Sequence, residues 1–136
     1  RFGATNVNDP NESLKAGVNY LVYLQRYWTK RIADPQERMK FILASYNAGL
    51  AHILDARKLC VKYKKDQTIW DDVEYFLLKK SDPKFYKDPV VVTGYCKCEE
   101  PVNYVREVLE RFEAYKIHIS LSAFDQVAVG DPKIAR

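Results

Sequence analysis

Tyr46 and Asn47 stand side by side at the end of an apolar run, Phe41 to Ala48, immediately before Gly49. A phenol and a carboxamide are costly to bury without hydrogen-bond partners. Where a helix breaks at a glycine, the pair points to a polar surface facing a cleft, able to hold a bound molecule. The alternative from the residues alone is a C-cap, with Asn47 or Gly49 left-handed and Tyr46 in the core. Other chemistry is thinly represented. His52, one turn past the break, reads as a hydrogen-bonded structural residue rather than a catalyst. Cys96-Lys97-Cys98 offers two ligands, with His118 as a conceivable third, where zinc needs four, so no metal is expected. No nucleophile elbow, phosphate loop or His-Glu-x-x-His helix occurs, and nothing calls for a cofactor.

The elements that would carry these residues are almost all helices. Leu14, Gly17, Val18, Leu21, Leu24 and Trp28 recur at spacings of three and four, predicting an amphipathic helix over about Asn11 to Trp28. Asp34-Pro35-x-Glu37 predicts the next start: Asp34 as N-cap, Pro35 at the first position, Glu37 closing a capping box. That helix should end near Asn47–Gly49. A third helix is expected from Leu50 to Tyr63. Asp66 or Thr68 could cap a short fourth through Trp70, Val73 and Leu77. Ser81 to Cys98 is the least regular stretch, because Asp82-Pro83 and Asp88-Pro89 disfavour helix before each proline. Pro89 to Thr93 can be extended, ending at Gly94. A final helix is expected from Pro101 to Tyr115, with Val102, Val105, Leu109, Phe112 and Tyr115 as its buried stripe. Ile117, Ile119 and Leu121 then alternate with polar residues, as in a short strand or ordered tail, and Gly130 to Arg136 should fray.

Composition fits one mainly α domain. At 136 residues, 47% hydrophobic and 13% aromatic, the chain can bury a real core and is not disordered. Lys62, Lys64, Lys65, Lys79, Lys80, Lys84 and Lys87 make the middle basic, which reads first as a solvated surface. No basic stripe with interleaved aromatics suits nucleic acid. No run of about 20 apolar residues suits a membrane span. Three cysteines are an odd number. Either all are free thiols, with Cys60 a small core residue, or Cys60 pairs with Cys96 or Cys98.

Several segments together carry a family resemblance. Ala44-Ser45-Tyr46-Asn47-Ala48-Gly49 resembles the Ala-x-Tyr-Asn-Ala-Gly signature of the lytic murein transglycosylases, whose catalytic domain has a goose-lysozyme-like fold. Asp9-Pro10 followed by Ala16-Gly17-Val18-Asn19-Tyr20-Leu21 resembles the family's Ala-Gly-x-x-Tyr-Leu helix. His52, Leu54-Asp55-Ala56-Arg57, Leu59 and Trp70-Asp71-Asp72-Val73 resemble the membrane-bound F branch. Gly94-Tyr95 follows, and Glu100-Pro101-Val102-Asn103-Tyr104-Val105 resembles the Glu-Thr-Arg-x-Tyr-Val element. The match runs in order from about Asp9 to Tyr115. It implies that residues 1–116 are the C-terminal portion of such a domain and 117–136 an extended or partly ordered tail.

The resemblance implies a lytic transglycosylase of peptidoglycan in the periplasm or cell envelope. A single Glu would protonate the oxygen between N-acetylmuramic acid and N-acetylglucosamine, leaving a 1,6-anhydro sugar. Tyr46 would orient that acid, Asn47 would reach the sugar or hold the turn, and Glu100 would lie across the cleft. Tyr104 would line the groove or pack in the core. Tyr95 would stack on a sugar, with Tyr86 a weaker candidate. Pro101-Val102 stands where the family often has Thr-Arg, so Glu100 lacks its usual partner. The family's acid stands in an upstream Glu-Ser motif followed by Gly-Leu-Met-Gln. This chain opens with Arg1-Phe2-Gly3-Ala4, beyond that point, which predicts a domain incomplete at its N-terminus and inactive alone. Glu12-Ser13 is no substitute: Glu12 falls in a first helical turn, where the dipole favours a carboxylate. Glycan strands are the expected partner, with membrane attachment only through absent parent segments. The alternative is a non-catalytic glycan-binding module or scaffold.

Overall fold

A computed structural model describes residues 8–130, with side chains described through residue 123. Six helices follow in order: α1 (Pro10–Thr29), α2 (Pro35–Ala48), α3 (Leu50–Lys62), α4 (Trp70–Lys79), α5 (Pro83–Tyr86) and α6 (Glu99–Gly130). There is no strand among the described residues. Among the described residues, those up to Tyr104 form one compact unit and those from Val105 onward form a second.

Local chemistry explains most of the boundaries. The carboxylates of Asp9, Asp34 and Asp82 each accept the backbone N–H two residues on, with proline at the first position of the helix that follows. Glu12 lies in the first turn of α1. Glu37, in contrast, closes no capping box. Its Oε2 accepts the Trp70 N–H at 2.7 Å and its Oε1 accepts from Lys40 at 3.0 Å, so it caps the start of α4 instead of its own helix. Neither Asp66 nor Thr68 caps α4: Ile69 is the N-cap residue, and Asp66 closes a turn onto Thr68. The Arg38 guanidinium donates to the carbonyls of Ile32 and Ala33, pinning the α1–α2 turn.

The core of the first unit is aromatic where α1, α2 and α4 converge. Trp28 meets Phe41 at 4.9 Å between centroids, and Phe41 meets Trp70 edge-on at 5.3 Å. A second cluster joins Tyr63, Phe76 and Phe85, closing α5 onto α3 and α4. The stripe expected on α1 divides. Leu24 and Trp28 are fully buried, whereas Leu14 and Val18 are exposed. Periodicity identifies residues that share a side, not whether an element covers that side.

The last two-fifths of the sequence depart further. Pro89 to Thr93 is a series of turns and bends rather than an extended segment. In α6, Val102 is buried, but Phe112 and Tyr115 are exposed, against the stripe expected there. The strand reading of Ile117 to Leu121 also fails, because the helix continues through them. Adding a residue to an existing helix is easier than nucleating a new element, and a five-residue alternation is a weak signal beside it. Residues 1–7 and 131–136 lie outside the described residues, including the opening Arg1–Ala4 and most of the tail expected to fray.

Candidate functional site

Tyr46 lies near the C-terminal end of α2, and its ring is 41% exposed. It is nevertheless held. Its ring meets Tyr20 of α1 at 5.9 Å between centroids, and its hydroxyl lies over Gly17. A Cβ at Gly17 would stand 3.5 Å from that hydroxyl, so the glycine leaves the space the phenol occupies. The preceding residue anchors the register. Ser45 is fully buried, its Oγ accepts the Trp28 indole N–H at 3.0 Å, and its carbonyl accepts from the Tyr20 hydroxyl and the Gly49 N–H. Asn47 follows on the exposed side of the helix, with no side-chain hydrogen bond among the described residues. Gly49 then turns the chain with φ +97°, a region favouring glycine, and α3 starts at once. Gly49, not Asn47, is thus the C-cap residue, and Tyr46 is not a core residue.

The other residues read from the sequence lie on the stretch from Gly94 into α6. Gly94 has φ +71°, and Tyr95 after it is 56% exposed, meeting Tyr86 edge-on at 5.6 Å. Glu100 is exposed in the first turn of α6, and Tyr104, one turn on, is partly buried. Pro101 and Val102 between them are buried. No hydrogen bond, ion pair or ring contact among the described residues joins Tyr46 or Asn47 to Tyr95, Glu100 or Tyr104.

A buried polar cluster fixes the segment before Tyr95. Lys80 has no exposed surface, and its ammonium donates to Asp55 Oδ2 at 2.9 Å, His52 Nδ1 at 2.7 Å and Thr93 Oγ1 at 3.0 Å. Asp55 in turn accepts the Val92 N–H at 2.9 Å, the Thr93 N–H at 2.8 Å and the Thr93 hydroxyl. Every proton of the ammonium has an acceptor, as a buried charge requires. Burial alone would raise the Asp55 pKa, but hydrogen bonds from the Thr93 hydroxyl, Val92, Lys80 and the Thr93 amide outweigh it and lower it to about 2. Burial, then the Lys80 ammonium, lowers the His52 pKa, with Asp55 opposing. Lys80 is therefore no part of a solvated basic surface. Lys62, Lys64, Lys65, Lys84 and Lys87 are exposed, as that reading expects, and Lys79 is half-buried with its ammonium over the Tyr75 ring. The signal for the cluster was His52 and Asp55 at i and i+3 on one helix face; nothing near Lys80 marked it as their partner.

Cys96 and Cys98 form a disulfide in the loop entering α6, so neither pairs with Cys60. Cys60 is a buried free thiol whose pKa burial raises to about 11, with Asp72 and Asp66 adding to it. No His, Cys, Asp and Glu cluster able to hold a metal occurs among the described residues. No described helix is long and apolar enough to cross a membrane.

Residues 3–69 match the family described as Transglycosylase SLT domain. Over 110 residues, 81% of the chain, it is 36% identical to a membrane-bound lytic murein transglycosylase F of Maricaulis maris, covering 24% of that protein. It is 34% identical to the corresponding protein of Pectobacterium atrosepticum over 98% of the chain and 28% of the relative. The Shewanella halifaxensis protein is 36% identical over 83% of the chain and 23% of its own length. The chain thus spans about a quarter of the length of the curated relatives it matches.

Proposed function

The chain belongs to the transglycosylase SLT domain family, with a helical, lysozyme-like fold, and we propose that it supplies the glycan-positioning side of a lytic transglycosylase acting on peptidoglycan in the cell envelope. The observation that carries this reading is Tyr46. Its ring is exposed, yet it is fixed on α1 by Tyr20 and Gly17, with Asn47 beside it at a glycine break. A phenol held by the fold, beside an exposed carboxamide, suits a polar polymer with many hydroxyl and amide groups.

The bond broken would be the β-1,4 link from N-acetylmuramic acid to N-acetylglucosamine. A carboxylic acid protonates the bridging oxygen, and the carboxylate left behind takes the proton of the muramyl 6-hydroxyl. The 6-oxygen attacks C1, the glycosidic bond breaks, and a 1,6-anhydro sugar forms without water. Tyr46 orients the acid and Asn47 bonds the sugar. Tyr95 supplies a stacking face, with Glu100 and Tyr104 as further groove residues. No carboxylate among the described residues is hydrogen-bonded to Tyr46 or Asn47. The 136 residues should therefore bind glycan without cleaving it.

Two assays on the 136-residue chain test this. Purified sacculi should yield no anhydromuropeptides, and chitotriose should bind with an affinity that Tyr46→Ala or Asn47→Ala lowers roughly tenfold, the scale of one lost hydrogen bond or ring contact. Robust turnover would locate an acid within these residues, at Glu100 or Glu12. Absence of glycan binding would remove the reading.

A further inference from the structure

We propose that the Cys96–Cys98 disulfide is a redox-reversible clasp on the glycan site: closed, it sets Tyr95, and a dithiol that opens it weakens glycan binding. The inference rests on the reading above, in which Tyr95 supplies a stacking face. Lys80 holds the chain just before and just after Gly94–Tyr95. Its ammonium donates to Thr93 Oγ1 at 3.0 Å, and its carbonyl accepts the Cys96 N–H at 3.1 Å. Tyr95 itself is 56% exposed, with its ring edge-on against Tyr86 at 5.6 Å, so the backbone that carries it largely decides its setting. From Cys96 the disulfide spans Lys97 to Cys98, with a Cα–Cα separation of 5.3 Å, ordinary for such a bond. Cys98 is buried, and its carbonyl accepts the Val102 N–H at 3.2 Å at the start of α6. The bond thus ties the end of the Tyr95 segment to a fixed point in the core.

Two features suit a reversible bond rather than a structural one. A disulfide stabilises a fold mainly by closing a loop of the unfolded chain, and more so for longer loops. Here Lys97 alone lies between the cysteines, so closure adds little to global stability. The fold resists opening only by as much as the bond stabilises the fold. The opened state also keeps its packing, because Cys98 as a thiol is still a small apolar residue in the core. Cys96 is partly exposed and Cys98 is not, so attack falls on Cys96. One thiolate of the dithiol bonds to Cys96 Sγ, the S–S bond breaks, and Cys98 leaves as a thiolate that takes up a proton. The second thiolate of the reductant then attacks the reductant's own sulfur in the mixed disulfide. It closes the reductant's disulfide and releases Cys96, which is protonated in turn. Two electrons pass from the dithiol to the cysteine pair, and the two thiol protons end on Cys96 and Cys98. A small-molecule disulfide reverses the exchange. Cys60 does not compete, because it has no exposed surface and burial raises its thiol pKa to about 11.

Calorimetric titration of the 136-residue chain with chitotriose tests the clasp, with the pair closed and after opening by dithiothreitol. Opening should weaken binding about three- to tenfold, the scale of one ring contact, and reoxidation with oxidised glutathione should restore it. Tyr95→Ala should show the weaker affinity in both states. Cys96→Ser, which leaves Cys98 in the core, should show it without responding to dithiothreitol. Equal affinity of the closed and opened chains overturns the clasp while leaving the Tyr46–Asn47 site intact. A redox difference that survives Tyr95→Ala overturns the assignment to Tyr95. Loss of the helical circular dichroism signal on opening would make the bond structural and overturn its reversible role. Amide exchange reads the clasp without glycan: opening should speed exchange at Cys96 and leave Val102 unchanged. Failure of chitotriose to bind in either state removes the glycan reading and the glycan half of this proposal. Unchanged exchange at Cys96 then overturns the other half, that the bond fixes the Tyr95 segment.

Discussion

The Trp28 indole donates its N–H to the Ser45 hydroxyl at 3.0 Å, with both residues fully buried, and Tyr46 follows immediately on the exposed side of α2. One hydrogen bond therefore ties the aromatic core to the rotational setting of the candidate site. Trp28→Phe keeps a ring but removes the donor, leaving Ser45 Oγ without its partner at a cost of about 1–3 kcal/mol. Urea denaturation should show a lower midpoint with an unchanged slope. Adding Ser45→Ala should recover part of the loss, because the stranded hydroxyl is then gone.

Lys80 and Asp55 form the second anchor, and removing either partner strands a buried charge. Asp55→Ala should cost about 3–5 kcal/mol. It should also speed amide exchange at Val92 and Thr93, whose N–H groups donate to this carboxylate. A matched loss of stability with no local change in exchange at those two amides would mean that Asp55 does not hold the segment leading to Tyr95.

These two anchors differ in how far the sequence revealed them. Asp34 and Gly49 were legible because caps and breaks are local: the residue and its partner lie within a turn. Tyr46 and Asn47 were legible as a pair because two polar side chains interrupt an apolar run. The Lys80 cluster was not, because Lys80 lies 13 to 28 positions from its three partners, and a buried lysine has the same sequence as a solvated one. Glu37 failed for a related reason: a tertiary acceptor, the Trp70 N–H, outcompeted its own helix start. Phe112 and Tyr115 repeat the lesson from the other side. Their spacing defines a face of α6, yet both are exposed.

The cluster also sets the pH response. The His52 pKa is held below its usual 6.5, so the unfolded chain takes up a proton first as pH falls. Stability should decline from about pH 6.5 down to the lowered folded value. Asp55 titrates at about 2 rather than 3.8, so its contribution is complete above 3.8 and is lost as pH falls toward 2. Two separate limbs should appear in urea midpoints measured between pH 8 and pH 2, within roughly the ranges these ionisations define. His52→Gln should flatten the upper limb alone, and Asp55→Asn the lower.

The thiols should separate by location. Cys60 has no exposed surface and a pKa near 11, so it should resist alkylation in the folded chain. Under non-reducing conditions iodoacetamide should label nothing in the native state and Cys60 alone after unfolding in urea. Mild reduction of the native chain should add Cys96 and Cys98 while leaving Cys60 protected. Native labelling of Cys60 would contradict its burial between α3 and its neighbours.

Gly49 tests whether the break itself matters to the site. A Cβ there would meet nothing within 4 Å, so Gly49→Ala creates no clash, and its cost comes from φ +97° alone, about 1–2 kcal/mol. The chain can relieve that strain only by turning the end of α2 or the start of α3, and Asn47 stands between the Tyr46 anchor and this joint. Gly94 is a matched control, with φ +71° and equally open space. Gly94→Ala should cost similar stability but disturb Tyr95 rather than Asn47. Chitotriose affinity should fall in Gly49→Ala through Asn47, and any fall in Gly94→Ala should come through Tyr95 and vanish in a Tyr95→Ala background, whereas the Gly49→Ala effect should persist there. An unchanged affinity in Gly49→Ala at this loss of stability would mean that the setting of Asn47 by the α2–α3 break contributes nothing.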